Sequence, residues 1–160
     1  MTYKAILSGR LEFGNTRSCE KAMQLFQNRY EIIYRNDVFL KLEEVFQVEN
    51  AGFELYRFSS QVSEKTWNNT MNLLEEVAQF AIAGKIEAWL TENGQILQSK
   101  TIEPNTEKAA VQAFIHGREL VLCEGREQDA INSLSHAIEK YERHASAYER
   151  RGYVNYRLRN

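Results

Sequence analysis

The sequence predicts an α+β fold: an antiparallel sheet carrying two helices, in the order β-α-β-β-α-β-β, followed by a wholly helical segment. Three observations predict it. Residues 3–13 alternate between apolar and polar side chains, the period of a half-buried strand. Two later stretches repeat apolar residues at three- and four-residue steps, the period of amphipathic helices. Asn93-Gly94 lies between two strand-like runs, the strongest short-range hairpin signal. The chain has 160 residues, 43% of them hydrophobic, which suits one compact domain or one small domain with an appendage.

In the first strand Tyr3, Ala5, Leu7, Leu11 and Phe13 share a face opposite Lys4, Ser8, Arg10 and Glu12, with Ile6 the exception. Gly14-Asn15-Thr16 ends it, and Asn15 or Thr16 can cap a helix. Cys19, Ala22, Met23, Phe26, Tyr30 and Ile33 then form the buried stripe of that helix. Val38–Val48 and Phe53–Phe58 are rich in β-branched and aromatic residues and read as strands, joined by a turn at Glu49-Asn50-Ala51-Gly52. Glu43-Glu44 marks a bulge or a loop in the first of them. Ser63 caps the second helix, with Val62 and Trp67 spaced as a hydrophobic staple. Trp67, Met71, Leu74, Ala78, Ala81 and Ile82 make its stripe, and Gly84 is expected to end it. Lys85–Thr91 and Ile96–Ile102 then flank Asn93-Gly94. A two-residue loop is expected to pair Leu90 with Leu97 and Glu87 with Lys100.

A strand-helix-strand unit repeated twice is the ferredoxin-like layout, here with one extra hairpin strand. Helices on one face of the sheet give each stripe a surface to cover. Pro104, the single proline, marks the boundary between an α+β domain, residues 1–104, and a helical segment, residues 105–160. The segment begins at the cap Asn105-Thr106-Glu107 and breaks near Glu124-Gly125 and Arg143-His144-Ala145. The short connection predicts that the two parts pack together. Residues 1–104 hold 11 Lys+Arg and 14 Asp+Glu, residues 105–160 hold 9 and 8. From Lys140 onward Lys140, Arg143, Arg150, Arg151, Arg157 and Arg159 outnumber Glu142 and Glu149. That cluster favours an acidic partner, or is simply a solvated helical face.

Within the helical segment Ala113-Phe114 recurs as Ala147-Tyr148 and Leu122 as Tyr156, each 34 positions on, while Gly117 and Gly152 are 35 apart. Ala130, Leu134 and Ala137 give a small-large-small pattern on the helix between. With this period, residues 109–142 resemble one tetratricopeptide repeat, and residues 145–160 the first helix of another. The likeness covers about a third of the chain. It implies a helical hairpin plus one further helix, with Phe114, Gly117, Ala130, Leu134, Ala137, Tyr148 and Gly152 as packing positions. Such repeats stack because one hairpin cannot bury its own apolar face. The resemblance also implies a binding face on the first helix of each repeat, here Glu149, Tyr153, Tyr156 and Arg157. The alternative for Tyr153 and Tyr156 is core packing against another helix. Two departures stand out: Glu142-Arg143-His144 replaces the usual proline, and Arg151 precedes Gly152 where leucine is preferred.

The residues offer no catalytic constellation. Cys19 and Cys123 belong to no Cys/His spacing. Cys19 stands in a helix's first turn, where the dipole lowers a thiol pKa, but no histidine lies near it in sequence, and two buried free thiols are the plainer expectation. His116, His136 and His144 have only carboxylates such as Glu139 and Glu142 for company, so no metal is expected. Glu43-Glu44 and Glu75-Glu76 are adjacent, and adjacent side chains diverge. Phe53, Tyr56 and Phe58 share a strand but lack the cationic glycine-rich context of an RNA-binding sheet, and the net charge of -2 argues against nucleic acid. No run approaches the ~18 apolar residues of a membrane span. The expectation is a cytoplasmic, non-enzymatic adaptor without cofactor that binds a protein or peptide. The alternative is a small-ligand-binding or dimerising α+β domain braced by its helices, using an open sheet face lined by Ile6, Trp89 and Ile96. A homodimer would form through that face or the C-terminal helix.

Overall fold

The computed structural model describes residues 2–104, 109–140 and 145–158. It is mixed helix and sheet. Strand β1 (Tyr3–Glu12) lies between β3 (Gly52–Val62) and β4 (Ala83–Glu92), with β2 (Phe46–Gln47) beyond β3 and β5 (Gln95–Ile102) beyond β4. The order is β2-β3-β1-β4-β5 and every neighbouring pair is antiparallel. Two helices, α1 (Thr16–Asn28) and α3 (Glu64–Ala78), share a core with the inner face of the sheet. Alternation explains the arrangement: Ala5, Leu7 and Leu11 are buried while Lys4 and Ser8 are exposed. α1 buries Cys19, Ala22 and Phe26, and α3 buries Trp67, Met71, Leu73, Leu74 and Val77. Phe46 makes ring contacts with Phe13, Phe26 and Phe53 at 5.1–6.0 Å. Both caps are in place: the Asn15 side chain accepts from the Ser18 N–H, and the Ser63 hydroxyl from the Thr66 N–H.

Four local expectations are corrected. The strand expected over Val38–Val48 shrinks to Phe46–Gln47, because Glu43-Glu44 falls in the helical turn α2 (Leu42–Val45), and Val48–Asn50 forms a 3-10 turn closed by Ala51 at φ 48°. The stripe of α1 does not reach Ile33. A π-helical turn over Arg29–Ile33 widens the helix and rotates the register, leaving Ile33 53% exposed. Gly84 does not end α3, which stops at Ala78. It sits inside β4 at φ 96°, where any Cβ would run into the Arg10 carbonyl. The hairpin turn forms, with Asn93 and Gly94 both at positive φ, but Leu97 is an extra residue in β5. Leu90 therefore faces Gln98 and Glu87 faces Thr101, rather than Leu97 and Lys100. Lys100 pairs instead with Glu75 of α3 at 2.6 Å.

A second bulge lies in β3. Leu7 faces Phe58 but Gly9 faces Leu55, so β3 carries one residue more than β1, and Arg57 takes φ 47°. A non-glycine residue in this left-handed region costs about 1–2 kcal/mol.

The helical segment holds α4 (Ala109–Val121), α5 (Glu127–Lys140) and α6 (Ala145–Leu158). The expected helix start at Asn105-Thr106-Glu107 and stop at Arg143-His144 lie outside the described residues, as do Glu142 and Arg159. Ile82 and Ala83 of the α+β part share one buried cluster with Val111, Phe114, Leu134, Ala147 and Val154. At the N-terminus of α6 the Ser146 N–H and hydroxyl both donate to the Glu12 carboxylate, at 3.2 and 2.9 Å. An anion there satisfies an otherwise unpaired N–H and meets the positive end of the helix.

Candidate protein-interaction surface

The helical segment is held by small residues. A Cβ on Gly117 of α4 would lie 2.7 Å from Cγ of Leu134. The bare backbone therefore lets a leucine of α5 seat directly on α4. Ala130 and Ala137, on the same buried side of α5, are 0% exposed, as is Leu134 between them; Phe114 is 5% exposed. The Ser133 hydroxyl donates to the Ala113 carbonyl at 2.7 Å, which fixes the sliding position of the pair. Five of the residues expected to pack the repeat, Phe114, Gly117, Ala130, Leu134 and Ala137, thus come together in one interface.

Tyr148 and Gly152 do something else. Among the described residues a Cβ on Gly152 would meet nothing within 4 Å. Tyr148 is 43% exposed, under the Arg151 guanidinium, and lines an open cleft of about 510 Å³ with Arg10, Glu12 and Glu54 at the end of the sheet. α6 buries Ala147 and Val154 and turns the opposite side outward, where Glu149, Gly152, Tyr153 and Tyr156 share one face. Helical spacing explains this, since positions 149, 152, 153 and 156 follow the i, i+3, i+4, i+7 pattern. The tyrosines and Glu149 are the residues expected to meet a partner.

Arg157 stands apart from them. Its guanidinium donates to the Val121 carbonyl at the C-terminus of α4 (3.1 Å), pairs with Glu127 (3.4 Å) and lies 5.9 Å from the Tyr153 ring. It ties α6 to the α4–α5 turn and braces Tyr153. Arg151 likewise donates to the Ser135 hydroxyl of α5. Sequence reasoning missed both links because they join residues 36 and 16 apart.

Other chemistry-bearing residues do not converge. Among the described residues no three His, Cys, Asp or Glu side chains are placed to hold a metal ion. His116 and His136 line a shallow depression between α4 and α5 with Arg126 and Asp129, which pair with each other; His144 lies outside the described residues. Burial, with a smaller push from Glu20, raises the Cys19 thiol to about 11, opposite to the expected effect of the helix dipole. Cys123 is exposed. Phe53 is buried, Phe58 stacks on Phe39, and of the three strand aromatics Tyr56 alone is exposed. No described helix is long and apolar enough to cross a membrane. Compared with protein-family models, curated proteins and solved structures, the chain matches none.

Proposed function

We propose that this protein is a cytoplasmic, non-enzymatic adaptor in which a ferredoxin-like α+β unit caps a tetratricopeptide-like helical segment that binds a protein or peptide. The observation that carries the reading is the Gly117–Leu134 contact, together with its unfilled counterpart at Gly152. Each glycine lies on a helix of similar length, with an aromatic residue three or four positions before it: Phe114 and Tyr148. One notch is filled, and the other has no neighbour within 4 Å among the described residues. Repeat architectures behave this way, each hairpin supplying the surface its neighbour needs. The ferredoxin-like reading is supported by the order β2-β3-β1-β4 of the first four strands, with helices between β1 and β2 and between β3 and β4.

Tyrosine exposed in groups is a strong anchor at interfaces. Tyr153 and Tyr156, with Glu149 beside them, form the contact. The test is to select binders from a displayed random-peptide library on the intact chain, then measure affinity for the double variant Tyr153→Ala, Tyr156→Ala. Each anchor is worth about 1–2 kcal/mol. A loss of roughly tenfold or more, at unchanged thermal stability, is expected. Unchanged affinity would sink the assignment.

A further inference from the structure

On the sheet face turned away from α1 and α3, Ile6, Ser8, Arg57, Trp89, Thr91 and Ile96 line an open depression of about 400 Å³. Ile6 and Trp89 are direct partners between β1 and β4, and Thr91 and Ile96 between β4 and β5. The floor therefore runs across three strands and is apolar, with Ile96 64% exposed. Among the described residues the lining holds one cation and no carboxylate. The Thr91 hydroxyl donates to the Lys4 carbonyl. Among the described residues no hydrogen bond or ion pair engages the Arg57 guanidinium, the Ser8 hydroxyl or the Trp89 indole N–H. Three unengaged donors around an apolar floor complement an anion that carries an apolar body.

A second observation points the same way. Arg57 is the residue that the β3 bulge holds at φ 47°. Glycine would take that conformation without strain, and asparagine or aspartate more readily than arginine. Bulges re-aim side chains, and strained positions cluster at ligand sites; Arg35, Asn36, Ala51 and Asn93 take positive φ in turns, and among the described non-glycine residues Arg57 takes it inside a strand. Here the strained position supplies the one charge of the depression.

We propose that the depression binds a small aromatic carboxylate, its carboxyl group on Arg57 and Ser8 and its ring over Trp89, Ile6 and Ile96. A volume of about 400 Å³ suits a ligand of that size. The site is independent of the tyrosine face of α6.

The chain carries its own reporter, since Trp67 and Trp89 are its two tryptophans and Trp67 is 1% exposed. In Trp67→Phe, Trp89 emission is followed during titration with 3-phenylpropionate and, separately, with the uncharged 3-phenylpropanol. A saturable change is expected, with the acid binding roughly tenfold more tightly than the alcohol, as befits a charge-assisted hydrogen bond. Calorimetry on the unsubstituted chain reads the same difference if Trp67→Phe fails to fold. Arg57→Gly removes the cation and suits the backbone, so it should weaken the acid roughly tenfold while the melting temperature stays level or rises. Equal binding of acid and alcohol, undiminished binding in Arg57→Gly, or no saturable signal would overturn the proposal. So would light scattering that traces the signal to two copies meeting through this face.

Discussion

Single residues carry the sharpest consequences. Gly117 and Gly152 occupy similar places on α4 and α6, yet the same substitution should act oppositely on them. Gly117→Ala forces a methyl against Leu134 and should destabilise by about 1–3 kcal/mol, the usual cost of overpacking. Gly152→Ala adds a methyl that meets none of the described residues within 4 Å and should stabilise by roughly 0.5–1 kcal/mol, because alanine loses less backbone freedom in a helix. Urea unfolding of the two variants decides this, and a loss at both positions would mean that α6 is packed against something on its outward side. Cys19 gives a pH test. Its thiol is raised to about 11 from an ordinary value of 9.0, so its contribution to stability is complete below the ordinary value. It is lost as pH rises from there through about 11, where only the unfolded chain has released the proton. Ellman's reagent at pH 8 should find one fast thiol, Cys123, and one that reacts only on unfolding. Two fast thiols would contradict the burial. The two helix caps and the Asn93-Gly94 turn were legible in the sequence because their chemistry is local. Gly84 was not, since what demands a glycine there is the Arg10 carbonyl on a neighbouring strand.

Among elements, legibility followed length and period. The ten-residue β1 and the fifteen-residue α3 announce themselves by repetition. Residues 38–48 have strand composition without strand alternation, and there packing decides: Leu40 and Val45 are buried from a loop and a single helical turn. The hairpin register failed for a similar reason. Sequence fixes a two-residue loop, but the bulge at Leu97 lets Gln98 reach the Trp67 indole N–H, and Lys100 reach Glu75. α6 depends on an element distant in sequence, through the two donors that Ser146 gives to Glu12. Glu12→Ala should therefore cost about 1 kcal/mol, the scale of a lost N-cap. Hydrogen exchange should quicken selectively in α6, and uniform quickening, or none, would show that the carboxylate does not anchor that helix.

In the whole molecule, the sheet and the helical segment share structure rather than merely a chain. Ile82 and Ala83 lie in the core of the helices, so the α+β part covers apolar surface that one and a half hairpins would leave open. Ile82→Asp should then cost about 3 kcal/mol or more, by placing an unpaired charge in that core. It should loosen the helices at least as much as the sheet, which circular dichroism and tryptophan emission, both tryptophans lying before residue 104, can separate. The candidate site was half legible: exposure of Tyr153 and Tyr156 follows from helical phase, whereas the engagement of Arg157 needed the fold. The proposed binding face lies on α6. Hydrogen exchange of the intact chain, with and without a selected peptide, decides whether a partner docks there. Protection gained on binding should centre on residues 148–157, and protection confined to the sheet or to α1 and α3 would place the partner elsewhere and refute the assignment.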